Sequence, residues 1–295
     1  MTAEIIVSNS SEDRSPNGEP AIALALGGGG ARGLSHIHII EALDELGLTP
    51  RVIAGSSIGA IMGAAMAAGM RGAEIREYTL STLGDPKSVL GRLWSLRPAS
   101  MRDMVIGGLR LGQFDLERIL KAFLPQAIPA DFSRLVIPLK VTATDYYGQA
   151  EVILESGDLY QALAASAALP AVFKPIRIDR RIMIDGGIVN PVPYEPIMDM
   201  GDLVIGIDVI GAPEGDGTHM PTMIDALYGS TQLMMQANIA LRLKVRPPDI
   251  LLRPAVNSFR VLDFLRAKEV LAASVGIKDE LKRAIDQAVA RRGAT

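Results

Sequence analysis

The seven residues GGGGARG, at positions 27–33, constrain the fold of this chain more than any other stretch. They lie between an apolar run, AIALAL, and a helical pattern, LSHIHIIEALDELG, so the glycines join a buried strand to a helix N-terminus. That arrangement aims backbone N–H groups and the positive end of a helix at one point, which suits a negative charge. The charge is either the pyrophosphate of a dinucleotide or an oxyanion that exists only during a reaction. The backbone chemistry is the same for both.

Gly28, Gly30 and Gly33 satisfy G-x-G-x-x-G in the strand-to-helix context of a dinucleotide site. Such a site also needs an acid about 20 residues further on, at the end of the second strand, to hold a ribose. The corresponding stretch, LTPRVIAGSS, has no Asp or Glu, and Arg51 stands at the start of the strand rather than its end. In the acid's place the strand runs into GSSIG, where Gly55, Ser57 and Gly59 fit G-x-S-x-G. Ser56 does not fit, because Ala54 and Ile58 stand where its glycines would be. The spacing has a mechanical reason: a serine on a sharp strand-to-helix turn exposes its hydroxyl, and glycines two residues away on either side let strand and helix approach. Backbone amides of Gly28–Gly30 facing that turn would form an oxyanion hole. The alternative is a packing turn without chemistry.

A serine hydroxyl needs a base to take its proton. His219, in the loop GAPEGDGTHM, would complete the chain order Ser…Asp…His. Asp185, in RIMIDGGIVNP, is the other candidate: a strand delivers it to a turn made by Gly186 and Gly187. An Asp-Gly pair is also an ordinary turn, so the residues alone leave both bases open. His36 and His38 are two apart on the first helix and point to different faces of it.

Composition removes other classes. The 295 residues are 48% hydrophobic and 21% charged, as in a globular protein, and the formal charge of −3 offers no basic field for nucleic acid. With no cysteine and three histidines, no metal site and no cofactor is expected, and the lack of cysteine fits the cytoplasm. Residues 1–19 read as a flexible tail without a secretory signal, and residues 20–295 as a single domain. The uncharged stretch Val52–Met70 is rich in Gly and Ala and reads as a buried helix rather than a membrane span. Residues 84–113 carry a net charge of +3, from Lys87, Arg92, Arg97, Arg102 and Arg110 against Asp85 and Asp103. They read as a solvated insertion, or as a cover that touches anionic headgroups.

Strand and helix patterns alternate along the chain, as in α/β folds. Strands are expected at 21–26, 51–54, 135–145, 151–155, 181–184, 203–210 and 250–252. Helices are expected at 34–46, from about 57 to 69, and at 73–83, 115–124, 158–168 and 223–245, with a C-terminal one from Asp263. Met223, Met234 and Met235 read as core fillers.

GGGGARG, then GSSIG, then DGG, in that order, resemble the patatin-like phospholipase family, in its small stand-alone bacterial branch. TATDYYGQAEVILESGDLYQALAASAALPAVFKP resembles the segment before the family's aspartate, and RPPDILLRP with DFLRAKEVL its C-terminal part. The resemblance implies a three-layer α/β/α fold with a mainly parallel central sheet and a Ser–Asp dyad without histidine. It makes Ser57 the nucleophile, Asp185 the base, and Gly28, Gly29, Gly30 and Arg32 the oxyanion-hole loop. The implied activity is metal-free hydrolysis of lipid acyl esters; apart from the resemblance, the chain is expected in the cytoplasm, with peripheral membrane contact left open. A lipid-binding protein on the same fold without catalysis is the alternative, and a nicotinamide or flavin enzyme ranks third.

Overall fold

The computed structural model describes residues 20–85, 87, 89, 91, 115–218 and 220–293. The tail 1–19 and His219 lie outside the described residues, as does most of the basic window 84–113.

Among the described residues, eight strands form one sheet: β1 (Ile22–Leu26), β2 (Val52–Ser56), β3 (Leu139–Asp145), β4 (Ala150–Leu154), β5 (Ile176–Ile178), β6 (Arg181–Asp185), β7 (Leu203–Ile207) and β8 (Ile250–Leu252). The central path β3-β2-β1-β7-β8 is parallel throughout, while β4, β5 and β6 add antiparallel pairs at the β3 side. Period-two alternation splits β1 between two cores. Ile22, Leu24 and Leu26 face one side, and Ala23 and Ala25 the other.

Helices α1 (His36–Leu46), α2 (Ile58–Ala67), α3 (Gly72–Leu83), α4 (Leu116–Phe123) and α5 (Leu159–Ser166) pack on the larger face. The opposite face is covered by residues 186–200 and by α6 (Met223–Val245), through Val192, Tyr194, Ile197, Met235 and Ile239. The result is the expected three-layer α/β/α arrangement.

The C-terminal helix is broken in two: α7 (Ala267–Ser274) and α8 (Ile277–Gly293) rejoin the larger face after a short 3-10 turn at Phe264–Arg266. A 3-10 turn over Gly30–Ser35 likewise precedes α1, which begins two residues later than its apolar pattern suggests. Met235 is core, but Met223 and Met234 face solvent, so the expectation for those two is corrected. Among the described residues, no helix is long and apolar enough to cross a membrane.

One register feature fixes what the sheet can do. Each strand residue has only two edges for pairing. Val141 and Thr142 of β3 are matched by both β2 and β4, and Ala143–Asp145 by both β4 and β6. Hence β2 and β6 share one edge of β3 and run toward each other. Ser56 ends β2 opposite Thr142, and Asp185 ends β6 opposite Ala143, the next residue. Two strand C-termini therefore meet head to head.

Candidate active site

The head-on meeting forces the chain at Ser57 to leave the sheet at once. Ser57 adopts φ 53 and ψ −122, a positive φ unfavourable to a residue with a Cβ, and α2 starts at the next residue. The turn is tight because Gly59 sits against the end of β1, where a Cβ would lie 2.0 Å from the Leu26 carbonyl oxygen. Gly55 faces the Ala60 backbone, and Gly33 faces Ile58 in the same crowded corner.

The Ser57 hydroxyl donates to Asp185 Oδ2 at 2.8 Å, joining residues 128 apart in sequence. Asp185 is buried, and its other oxygen, Oδ1, accepts the Gly187 N–H at 2.8 Å. Thr144 pins the Asp185 carbonyl through its hydroxyl, and Gly186 lies against the Thr142 carbonyl with no room for a side chain. Burial pushes the Asp185 carboxyl up to about 6, against the opposing pull of the Ser57 and Gly187 hydrogen bonds. A carboxylate poised there is a stronger base than an exposed one near 4, and most of it is still ionised at neutral pH.

The glycine loop closes the third side. Gly28 N–H donates to the Pro191 carbonyl at 2.9 Å, so the expectation that it is an open donor is corrected. Gly28 serves as space instead, with a Cβ there lying 3.4 Å from Ser57 Cβ. Among the described residues the N–H groups of Gly29 and Gly30 meet no acceptor, because the first residue of a helical turn has no partner within it. Both glycines line the same cavity as Ser57 and Asp185. Arg32, which also lines the cavity, braces this loop by donating from Nε to the Gly29 carbonyl at 3.3 Å. Its guanidinium is lowered to about 10 by burial, partly offset by Asp208 and Asp263.

Both helix histidines are buried and neither reaches the serine. His36 Nε2 bonds the Gly27 carbonyl at 2.8 Å, and burial pushes the ring down to about 4, so it stays neutral under the glycine loop. His38 bonds the Leu271 carbonyl and Glu41.

One contributor has no sequence signal. Ser166, the last residue of α5, accepts the Ser57 N–H at 2.8 Å through its hydroxyl, across 109 residues. It thereby ties down the strained turn. Ser166→Ala leaves that N–H without a partner, a defect on the order of 1–3 kcal/mol. The expected result is a kcat about tenfold lower with little change in KM, read from steady-state ester hydrolysis.

The hydroxyl and carboxylate open onto a cavity of about 520 Å³. Away from Ser57 its walls are Ile61, Met62, Ile75, Leu116, Leu120 and Phe123, supplied by α2, α3 and α4. Such a slot takes a long apolar group and leaves its polar end at the dyad.

A serine raised on a strand-to-helix elbow and hydrogen-bonded to a buried carboxylate has the geometry that a serine nucleophile and its base require. The comparisons narrow this. The sequence model of patatin-like phospholipases matches residues 24–198, and the chain belongs to that family. An uncharacterized NTE family protein of Mycobacterium tuberculosis is 38% identical over 197 residues, covering 66% of this chain and 51% of that protein. Patatin-like phospholipase domain-containing protein 7 of Mus musculus is 30% identical, over 85% of this chain and 20% of that protein. Lysophospholipase NTE1 of Kluyveromyces lactis is 28% identical, over 85% of this chain and 18% of that protein. The chain thus spans about half or less of the length of these relatives. Among solved structures, VipD from Legionella pneumophila aligns with a TM-score of 0.46 at 14% identity, covering 91% of this chain and 69% of that one.

Proposed function

We propose that this chain is a serine lipid acyl hydrolase, with Ser57 as nucleophile and Asp185 as general base. The observation that carries the reading is the 2.8 Å hydrogen bond from Ser57 Oγ to Asp185 Oδ2 in the wall of an apolar cavity of about 520 Å³. Membership in the patatin-like phospholipase family, with relatives named phospholipase and lysophospholipase, supports it.

In the first step Ser57 Oγ attacks the ester carbonyl carbon while its proton passes to Asp185. The carbonyl oxygen becomes an oxyanion facing the open N–H groups of Gly29 and Gly30, each such donor being worth about 3–4 kcal/mol. Collapse expels the alcohol, which takes the proton back from Asp185, and leaves the acyl group on Ser57. Water then repeats the sequence: Asp185 takes its proton, the hydroxyl adds to the acyl carbon, and Ser57 departs reprotonated. The N-terminus of α2 beneath Ser57 favours negative charge throughout. The site works at the water-facing surface of a lipid phase, in peripheral contact with a membrane.

The test is a chain-length series of p-nitrophenyl esters, with fluorophosphonate labelling alongside. Each methylene that enters the cavity is expected to raise kcat/KM roughly fourfold until the cavity is filled. The label is expected on Ser57. A flat chain-length profile with no adduct at Ser57 overturns the proposal. Lipid retained without turnover or labelling identifies a binding protein instead.

A further inference from the structure

The helix α6 is patterned inside out. Its protein-facing side is largely polar. Gln232 and Gln236 donate to the Ile210 and Gly211 carbonyls, and Asn238 and Arg242 donate to the Val189 carbonyl, with Arg242 also paired to Glu195. Among the described residues, Met235 and Ile239 alone give it a fully buried apolar grip. Besides Leu233, which lies to one flank, its solvent side carries Met223, Leu227, Met234, Leu241 and Val245, each between 56% and 86% exposed. At 100° per residue these five fall within an arc of about 40°, so they form one stripe along about 33 Å of helix. A water-facing helix normally presents the opposite pattern.

The stripe is not isolated from the site. Tyr228, Thr231, Gln232 and Met235, on the adjoining flank of α6, line the cavity that holds Ser57. Leu262 and Leu265 line the same cavity and are about half exposed. Met220, just before α6, is almost fully exposed. Leu262 and Leu265 thus carry the cavity's apolar lining out to solvent, and α6 contributes both to that lining and to the exposed stripe.

We propose that the exposed face of α6, with Met220, Leu262 and Leu265, is a docking surface for the apolar layer of a lipid aggregate. It would seat the cavity mouth on the phase that contains the substrate. This rests on the acyl-hydrolase reading for the cavity's occupant. The continuity of the surface with the cavity selects lipid over other occupants. A neighbouring protein seated on this face would cover the rim through which a substrate enters. The stripe itself carries no basic residue, so binding is carried by apolar burial and survives on neutral lipid.

The experiment compares the full chain with the triple variant Met223→Ser, Leu227→Ser, Met234→Ser, none of which lines the cavity. Flotation with phosphatidylcholine vesicles reads the partition, and p-nitrophenyl butyrate in solution reads the chemistry. The partition is expected to fall on the order of tenfold or more, because three exposed apolar side chains are lost from the contact. Butyrate turnover and thermal unfolding are expected to stay close to the parent's. Parent-like flotation of the variant overturns the proposal. So does a parent that is a dimer by light scattering and becomes monomeric in the variant with vesicle binding unchanged, which would make the face a contact between copies. Vesicle binding by a parent that hydrolyses no ester keeps the docking surface and removes the hydrolase reading, so the two failures are distinguishable.

Discussion

Ser57→Ala is expected to lower kcat/KM for p-nitrophenyl esters by at least about 10³-fold while the protein stays folded. Removing the hydroxyl removes the atom that forms the acyl-enzyme. The only other route is direct attack by water, with Asp185 as base and the Gly29 and Gly30 amides still in place. That route is further weakened, because the Ser57 hydrogen bond is one of two interactions that hold the buried Asp185 carboxyl down. Without it the carboxyl protonates more readily and is a base for a smaller fraction of the time. Alanine tolerates the elbow no better and no worse than serine, since φ 53 burdens any residue with a Cβ. The measurements are p-nitrophenol release, stoichiometric fluorophosphonate labelling and circular dichroism. The matched control is His219→Ala, expected to retain activity within about twofold. Parent-like turnover by the Ser57 variant would sink the nucleophile assignment, and a collapse in the His219 variant would move the base to that residue.

Much of this site is legible in the chain because its parts are local. GGGGARG and GSSIG are each a strand, a turn and a helix start within about ten residues, and DGG ends a strand at a turn. Glycine spacing reports those geometries directly, as the clash at Gly59 illustrates. The hidden part is set by pairing between distant segments. No local pattern announces that β2 and β6 meet head to head on one edge of β3, yet that register brings Ser57 to Asp185. Ser166 has the same character, a serine in a helix of small residues whose hydroxyl matters only because of what lies 109 positions away. Gly28 shows the reverse error. Its place in the motif suggests an open amide, and the Pro191 carbonyl occupies it. Met223 and Met234 of α6 depart from expectation for a different reason. Met is an apolar gap-filler wherever a core exists, and composition cannot say which helix face that core occupies.

Asp185→Asn is expected to trade activity for stability, with a pH dependence that identifies the cause. The amide cannot accept the Ser57 proton, so kcat/KM falls by about 10²–10⁴-fold, the usual worth of a general base. In the parent, kcat/KM rises with pH through about 6, as the carboxyl loses its proton, and levels off above it. Stability runs the other way. The unfolded chain holds this carboxyl near its ordinary value of 3.8, and the folded chain holds it near 6. Below pH 4 both states are protonated and the group contributes no difference. Between 4 and 6 the folded state keeps a proton that the unfolded state has released, so stability falls as pH rises across that window. Above 6 both are ionised, and the full cost of a buried charge, on the order of 3 kcal/mol, is present. Asparagine has nothing to ionise and can still accept the Gly187 N–H. The variant's Tm is therefore expected to match the parent's near pH 4 and to exceed it by about 5–10 °C at pH 7. Melting curves from pH 4 to 8 read this directly. A variant that is less stable than the parent at every pH would mean that Asp185 is held by interactions outweighing its desolvation, and so is not the raised-pKa base that the mechanism needs.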